Sequence, residues 1–78
     1  MTEGKPPIGV IGVTPRGGKD IYDEMDSCNM LLKTGGIPPL RIETLNGYGK
    51  IYLEGVHLDR AIEILVNDGM EAAVWTPP

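Results

Sequence analysis

Apolar and polar positions along this chain switch between a two-residue and a 3.6-residue period, and the switches mark out six elements. The stretch "IGVIGV", residues 8–13, is apolar at both parities, as in a strand covered on both sides. Gly9 and Gly12 within it suit a central strand, where a helix or partner approaches the backbone closely. A helix is predicted from about Asp20 to Lys33, with Ile21, Met25, Cys28 and Leu32 on one narrow stripe. Asp23, Glu24, Asp26 and Lys33 fall off that stripe and are expected to face water. Asp20 suits the N-cap, with Asp23 three residues on as a weak capping-box echo. Gly35-Gly36 ends the helix, and Pro38-Pro39 forbids its continuation.

The segment "LRIETLNGYGKIYLE", residues 40–54, reads as a hairpin closed by Asn46-Gly47 in a type I′ turn. Pairing Leu45 with Tyr48 sets Glu43 against Lys50, Ile42 against Ile51, Arg41 against Tyr52 and Leu40 against Leu53. The apolar residues then share one face, and opposite charges meet on the other. A slip of one residue would destroy that sorting. Residues 57–68 repeat the helical pattern, with Leu58, Ala61, Ile62 and Leu65 on one face and Gly69 as the stop. A last strand is expected over 71–76, "EAAVWT".

The order β-α-β-β-α-β predicts an α+β fold, a ferredoxin-like split sandwich. Its four-stranded antiparallel sheet would carry both helices on one face, with the first and third strands central. The other face would stay uncovered, presenting Arg41, Glu43, Lys50 and Tyr52 beside one side of the apolar first and last strands.

Composition narrows the partners. At 78 residues the chain is expected to be one domain spanning 1–78, with flexible ends at 1–6 and 77–78. Net charge is −4 and the basic residues are scattered, which disfavours nucleic-acid backbones and anionic membrane surfaces. Cys28 is the only cysteine, so no internal disulfide can form. No signal-peptide pattern or membrane-length apolar run occurs, and a cytoplasmic location is expected.

The loop "GVTPRGGKD", residues 12–20, approaches a phosphate-binding glycine loop. It departs from the Walker pattern by the extra Gly18 before Lys19 and by Asp20 where Ser or Thr would hold magnesium. What survives is a candidate anion or small-ligand site of Thr14, Arg16, Gly17, Gly18 and Lys19 at a helix N-terminus. The plain alternative is a tight strand-to-helix turn with Arg16 and Lys19 solvated.

Asp20, Asp23, Glu24 and Asp26 read as a solvated helix face, because carboxylates on a helix fan outward instead of converging on a cation. His57 has no histidine partner and begins the second helix, and Cys28 reads as core. Trp75 either caps the core or anchors a contact, depending on its parity. No catalytic residue set, cofactor or metal site is expected.

The layout is similar to that of small-ligand regulatory modules of the amino-acid-sensing type, with glycines in the first strand-helix loop. That resemblance implies pairing through sheet edges or helices and a ligand near the loop. RNA-recognition domains share the topology but need stacking aromatics and a basic surface. Acylphosphatases hold phosphate with a first-loop arginine, but "GVTPRGGKD" does not reproduce their loop. The expectation is a non-enzymatic binding or regulatory module that associates with itself or a partner protein. The contact would use the uncovered face or an edge strand, with Ile11, Val13, Arg41, Tyr52 and Trp75 as interface residues. The alternative is a ligand- or anion-binding domain, with or without catalysis, at loop 14–20.

Overall fold

The computed structural model describes residues 7–76. The ends expected to be flexible, 1–6 and 77–78, lie outside the described residues. Strand β1 (Ile8–Thr14) leads to helix α1 (Ile21–Thr34), then to strands β2 (Arg41–Leu45) and β3 (Tyr48–Glu54). A short 3-10 turn, Gly55–His57, precedes helix α2 (Leu58–Asn67), and strand β4 (Glu71–Val74) closes the chain. The four strands form one antiparallel sheet in the order β2-β3-β1-β4, so β1 and β3 are central as expected.

The hairpin keeps the register deduced from its charge sorting, with Leu45 against Tyr48, Glu43 against Lys50, Ile42 against Ile51 and Arg41 against Tyr52. Its turn differs. Gly47 has φ +92° while Asn46 keeps a negative φ, the sign pattern of a type II turn, not type I′. Leu40 also departs from expectation: its N–H bonds to Tyr52 O (2.7 Å), but it lies outside β2 and its side chain is exposed.

Both helices cover the same side of the sheet. Gly9, Ile11 and Val13 of β1 align with Leu53, Ile51 and Gly49 of β3 on that side. A Cβ at Gly9 would come within 2.9 Å of Leu58 in α2, and one at Gly49 would fall on the Met25 thioether in α1. The core lies between, made by Ile11, Val13, Ile51 and Leu53 below and Met25, Cys28, Leu32, Ala61 and Leu65 above. Ile11 and Val13, expected at an interface, are thereby corrected to core residues. The parity that pairs them with Ile51 and Gly49 turns them under the helices, where neither is more than 1 % exposed.

Helix α1 begins as read, with the Asp20 carboxylate accepting the Tyr22 N–H (3.0 Å). The two helices end alike. In α1, Gly36 (φ +83°) and Ile37 donate to Lys33 O and Leu32 O. In α2, Gly69 (φ +90°) and Met70 donate to Val66 O and Leu65 O. These are Schellman ends, and in each the residue after the glycine, Ile37 or Met70, is buried in the core. Strand β4 stops at Val74, two residues short of the expected end. The Trp75 N–H still bonds to Val10 O (2.9 Å), carrying the pairing one step further.

Candidate functional site

Two regions were expected to carry function, the glycine loop and the uncovered sheet face. In the loop, the Lys19 N–H donates to Arg16 O (2.9 Å), closing a turn whose third residue, Gly18, has φ +79°. Only glycine adopts that φ without strain, and Gly17 and Gly18 are both exposed with open space where side chains would stand.

Arg16 is turned to a carboxylate of the chain itself. Its Nε donates to Glu24 Oε2 (2.9 Å) and its Nη2 to Glu24 Oε1 (3.1 Å), a bidentate pair. Its backbone N–H reaches the same carboxylate (3.3 Å), and Nη1 donates to Asp68 O (3.2 Å) at the end of α2. All three guanidinium nitrogens are thus engaged within the protein. Glu24, expected in water, is fully buried, and this is the second correction. Its hydrogen bond from Arg16 holds the carboxyl below the usual carboxylate range against the opposing effect of burial. The same bond raises the Arg16 guanidinium further. A signal for Glu24 was present: it stands three residues after Ile21 and four before Cys28, on the buried stripe itself.

The other loop residues turn apart. Thr14 ends β1, exposed on the helix-free side, while Lys19 borders a hollow whose other polar residues include Asp23, Asp26 and Asp68. Thr14, Arg16, Gly17, Gly18 and Lys19 therefore do not converge around one point, and Arg16 and Lys19 both face carboxylates.

Among the described residues, no group of three or more His, Cys, Asp or Glu side chains is arranged to hold a metal ion. Cys28 is buried, and burial pushes its thiol up to about 12. It donates to the Met70 thioether sulfur (3.2 Å), so it packs as core and is not a ready nucleophile. His57 closes the 3-10 turn with Nε2 3.5 Å from Glu54.

The helix-free face is more organised. Strand parity places Arg41 and Glu43 of β2, Tyr48, Lys50 and Tyr52 of β3, Ile8, Val10 and Gly12 of β1, and Ala73 of β4 on it. Arg41 lies over the Tyr52 ring, 5.3 Å from its centroid, and also approaches Glu43 (3.6 Å). The Tyr52 hydroxyl donates to Glu43 (2.9 Å), which raises the phenol above its usual range.

Trp75 settles on this same face. Gly12 gives it a seat, since a Cβ there would stand 3.1 Å from the indole Cδ1. Lys50, paired across from Gly12, sets its ammonium 3.9 Å from the ring centroid. Of the two readings of Trp75 the open-face parity is the one observed, and the ring is half-buried there. Arg41, Tyr52 and Trp75 are thus gathered on one surface, a juxtaposition that strand parity could suggest but that needed Gly12 as floor. Two aromatic rings, each met by a cation, flank the half-buried Val10 and leave Ile8 44 % exposed.

Among the described residues, no helix is long and apolar enough to cross a membrane. Comparison of the chain with protein-family models, with curated proteins and with solved structures finds no match in any of the three.

Proposed function

We propose that this chain is a small non-enzymatic interaction module of the ferredoxin-like, split β-α-β-β-α-β kind. Its helix-free sheet face docks a second copy of itself. The observation that carries this reading is the surface just described, a continuous sheet face with no helix over it among the described residues, bearing Tyr52, Trp75, Val10 and Ile8 among charges of both signs. Aromatic and arginine side chains are the types favoured at contact centres. Arg41 and Lys50 beside Glu43 make the patch able to complement itself about a two-fold axis, which a patch of one sign could not do.

Size sets the strength. Four strands about 4.8 Å apart, each some six residues long at about 3.3 Å per residue, give a face of roughly 400 Å². A face-to-face pair would bury about 800 Å², below the 1,200–2,000 Å² of stable complexes, so association is weak and concentration-dependent.

Sedimentation equilibrium from about 10 μM to about 1 mM tests this, a span that brackets the affinity such an area supports. The expected result is a monomer–dimer equilibrium that Trp75→Ser and Tyr52→Ser weaken together. A strict monomer across the range refutes the reading. A dimer indifferent to both substitutions moves the contact to an edge strand.

A further inference from the structure

We propose that the outer groove between α1 and α2 is a second, independent docking site, one that takes a cationic amphipathic helix of a partner protein. The two helices run antiparallel. Lys19 and Asp23 at the start of α1 border a hollow of about 620 Å³ together with Asp68 just beyond α2. Thr34 and Gly35 at the other end of α1 border a second, of about 330 Å³, together with Arg60 and Ile64. Met30 and Leu31 border both, so the two hollows adjoin along the outer side of α1, a helix of 14 residues. At 1.5 Å per residue α1 is about 21 Å long, so a third helix of about four turns laid along it meets both hollows.

The floor supplies the seat. Met30 is 66 % exposed, and Leu31 and Ile64 are half-buried beside it. Side chains at helical spacing on an incoming helix find apolar anchorage on such a floor, and a methionine adapts to their shape.

Charge then selects the occupant. The wider end of the groove carries Asp23, Asp26 and Asp68 against the single cation Lys19. Among the described residues neither Asp23 nor Asp26 forms an ion pair. At the narrower end Arg60 is turned to Glu63 (3.5 Å). An occupant that matches both ends has an apolar stripe and lysines or arginines gathered toward the end lying over Asp23 and Asp26. The chain's net charge of −4 steers such a segment inward. The same carboxylates repel phosphate groups, which disfavours a nucleic acid or an anionic lipid surface in this groove.

The test is titration of the ¹⁵N-labelled full chain with a synthetic peptide as long as α1. The peptide has leucines at helical spacing and lysines clustered at one end, and a counterpart carries glutamates in place of the lysines. The lysine peptide is expected to move the amides of Asp23, Ser27, Met30, Leu31 and Ile64 and to leave Val10, Tyr52 and Trp75 still. The glutamate peptide is expected to bind at least about tenfold more weakly, a difference of 1.4 kcal/mol or more. Met30→Glu, at an exposed position that spares the fold, is expected to weaken the lysine peptide about tenfold. Asp23→Asn with Asp26→Asn should remove the preference between the peptides. Absence of shifts at about 1 mM peptide overturns the proposal. So do shifts centred on the sheet face or equal binding of the two peptides. Dimerisation through the sheet face is unaffected by these variants, so either site can fail without the other.

Discussion

On the helix side of the sheet, Ile11, Val13, Ile51 and Leu53 are closed to solvent, whereas on the other side Val10, Lys50, Tyr52 and Trp75 stay half open. The same two strands, β1 and β3, supply most of both sets. What differs is the source of cover. Two helices press on the first side and demand shape, so its strand residues are branched aliphatics with glycine wherever a helix comes close. Among the described residues no helix covers the second side, and its long side chains shelter it themselves. The Tyr52 and Trp75 rings and the Lys50 stem lie over the sheet while their polar ends reach Glu43, the indole face or water. The glycines repeat the contrast: Gly49 makes room for Met25 from above, and Gly12 makes room for Trp75 from below.

Substitutions matched across the sheet should separate the two kinds of cover. The largest effect is expected from Leu53→Ala on the helix side, about 2–5 kcal/mol in urea unfolding, because a fully buried leucine leaves a cavity. A loss below 1 kcal/mol there would mean that the helices repack freely over the strands. Gly49→Ala follows at about 1–3 kcal/mol, since Met25 must leave its place.

Glu24→Gln should cost about 1–3 kcal/mol at neutral pH by weakening the bidentate pair. Because Arg16 lowers the carboxyl's pKa in the folded chain, the ionised Glu24 contributes stability above about pH 4.5, and that contribution is lost as pH falls through the lowered value. The gap between the parent chain and Glu24→Gln in pH-dependent thermal melts should therefore close on acidification. A gap that widened toward low pH would contradict the pairing.

The smallest change is expected on the open side, where Lys50→Met removes a cation over an indole for about 0.5–1 kcal/mol. Its clearer readout is the fluorescence of Trp75, the only tryptophan. Emission that moves with Gly12→Ala but not with Gly49→Ala would place the ring where the geometry puts it.

The hairpin and its register were legible because the pairing carries its own check. Glu43 and Lys50 could oppose one another only if Ile42 and Ile51 did too, so one turn fixed the whole hairpin. The turn type was not legible: Asn-Gly tolerates several sign patterns, and the strands' own pairing selects among them. Ile11 and Val13 were placed on the wrong side because an apolar run at both parities carries no label for the helix face. That label comes from Leu58 and Met25, which reach the sheet from other elements. Arg16 was read as a loop cation because its partner on the next helix was assigned to water by charge alone. The helical phase of Glu24 argued the other way, and the phase was right. For the open face, residue types and parity were readable, but the seating of Trp75 depends on contact between β1, β3 and the end of β4 that no local pattern encodes.

The strand order carries a last consequence. Cut the chain in thought at the hairpin turn: β1 and β2 belong to the first half, β3 and β4 to the second, and the sheet interleaves them as second, third, first, fourth. Every ladder therefore joins one half to the other, and neither half holds a pair of adjacent strands by itself. The clasp from Arg16 to Asp68 O, between residues 52 apart, crosses the same divide. Such a weave leaves no autonomous sub-structure to persist when the rest comes apart. Unfolding should be a single concerted event seen alike by every probe, and beyond the local β2–β3 hairpin folding must wait for distant segments to meet before the sheet can close.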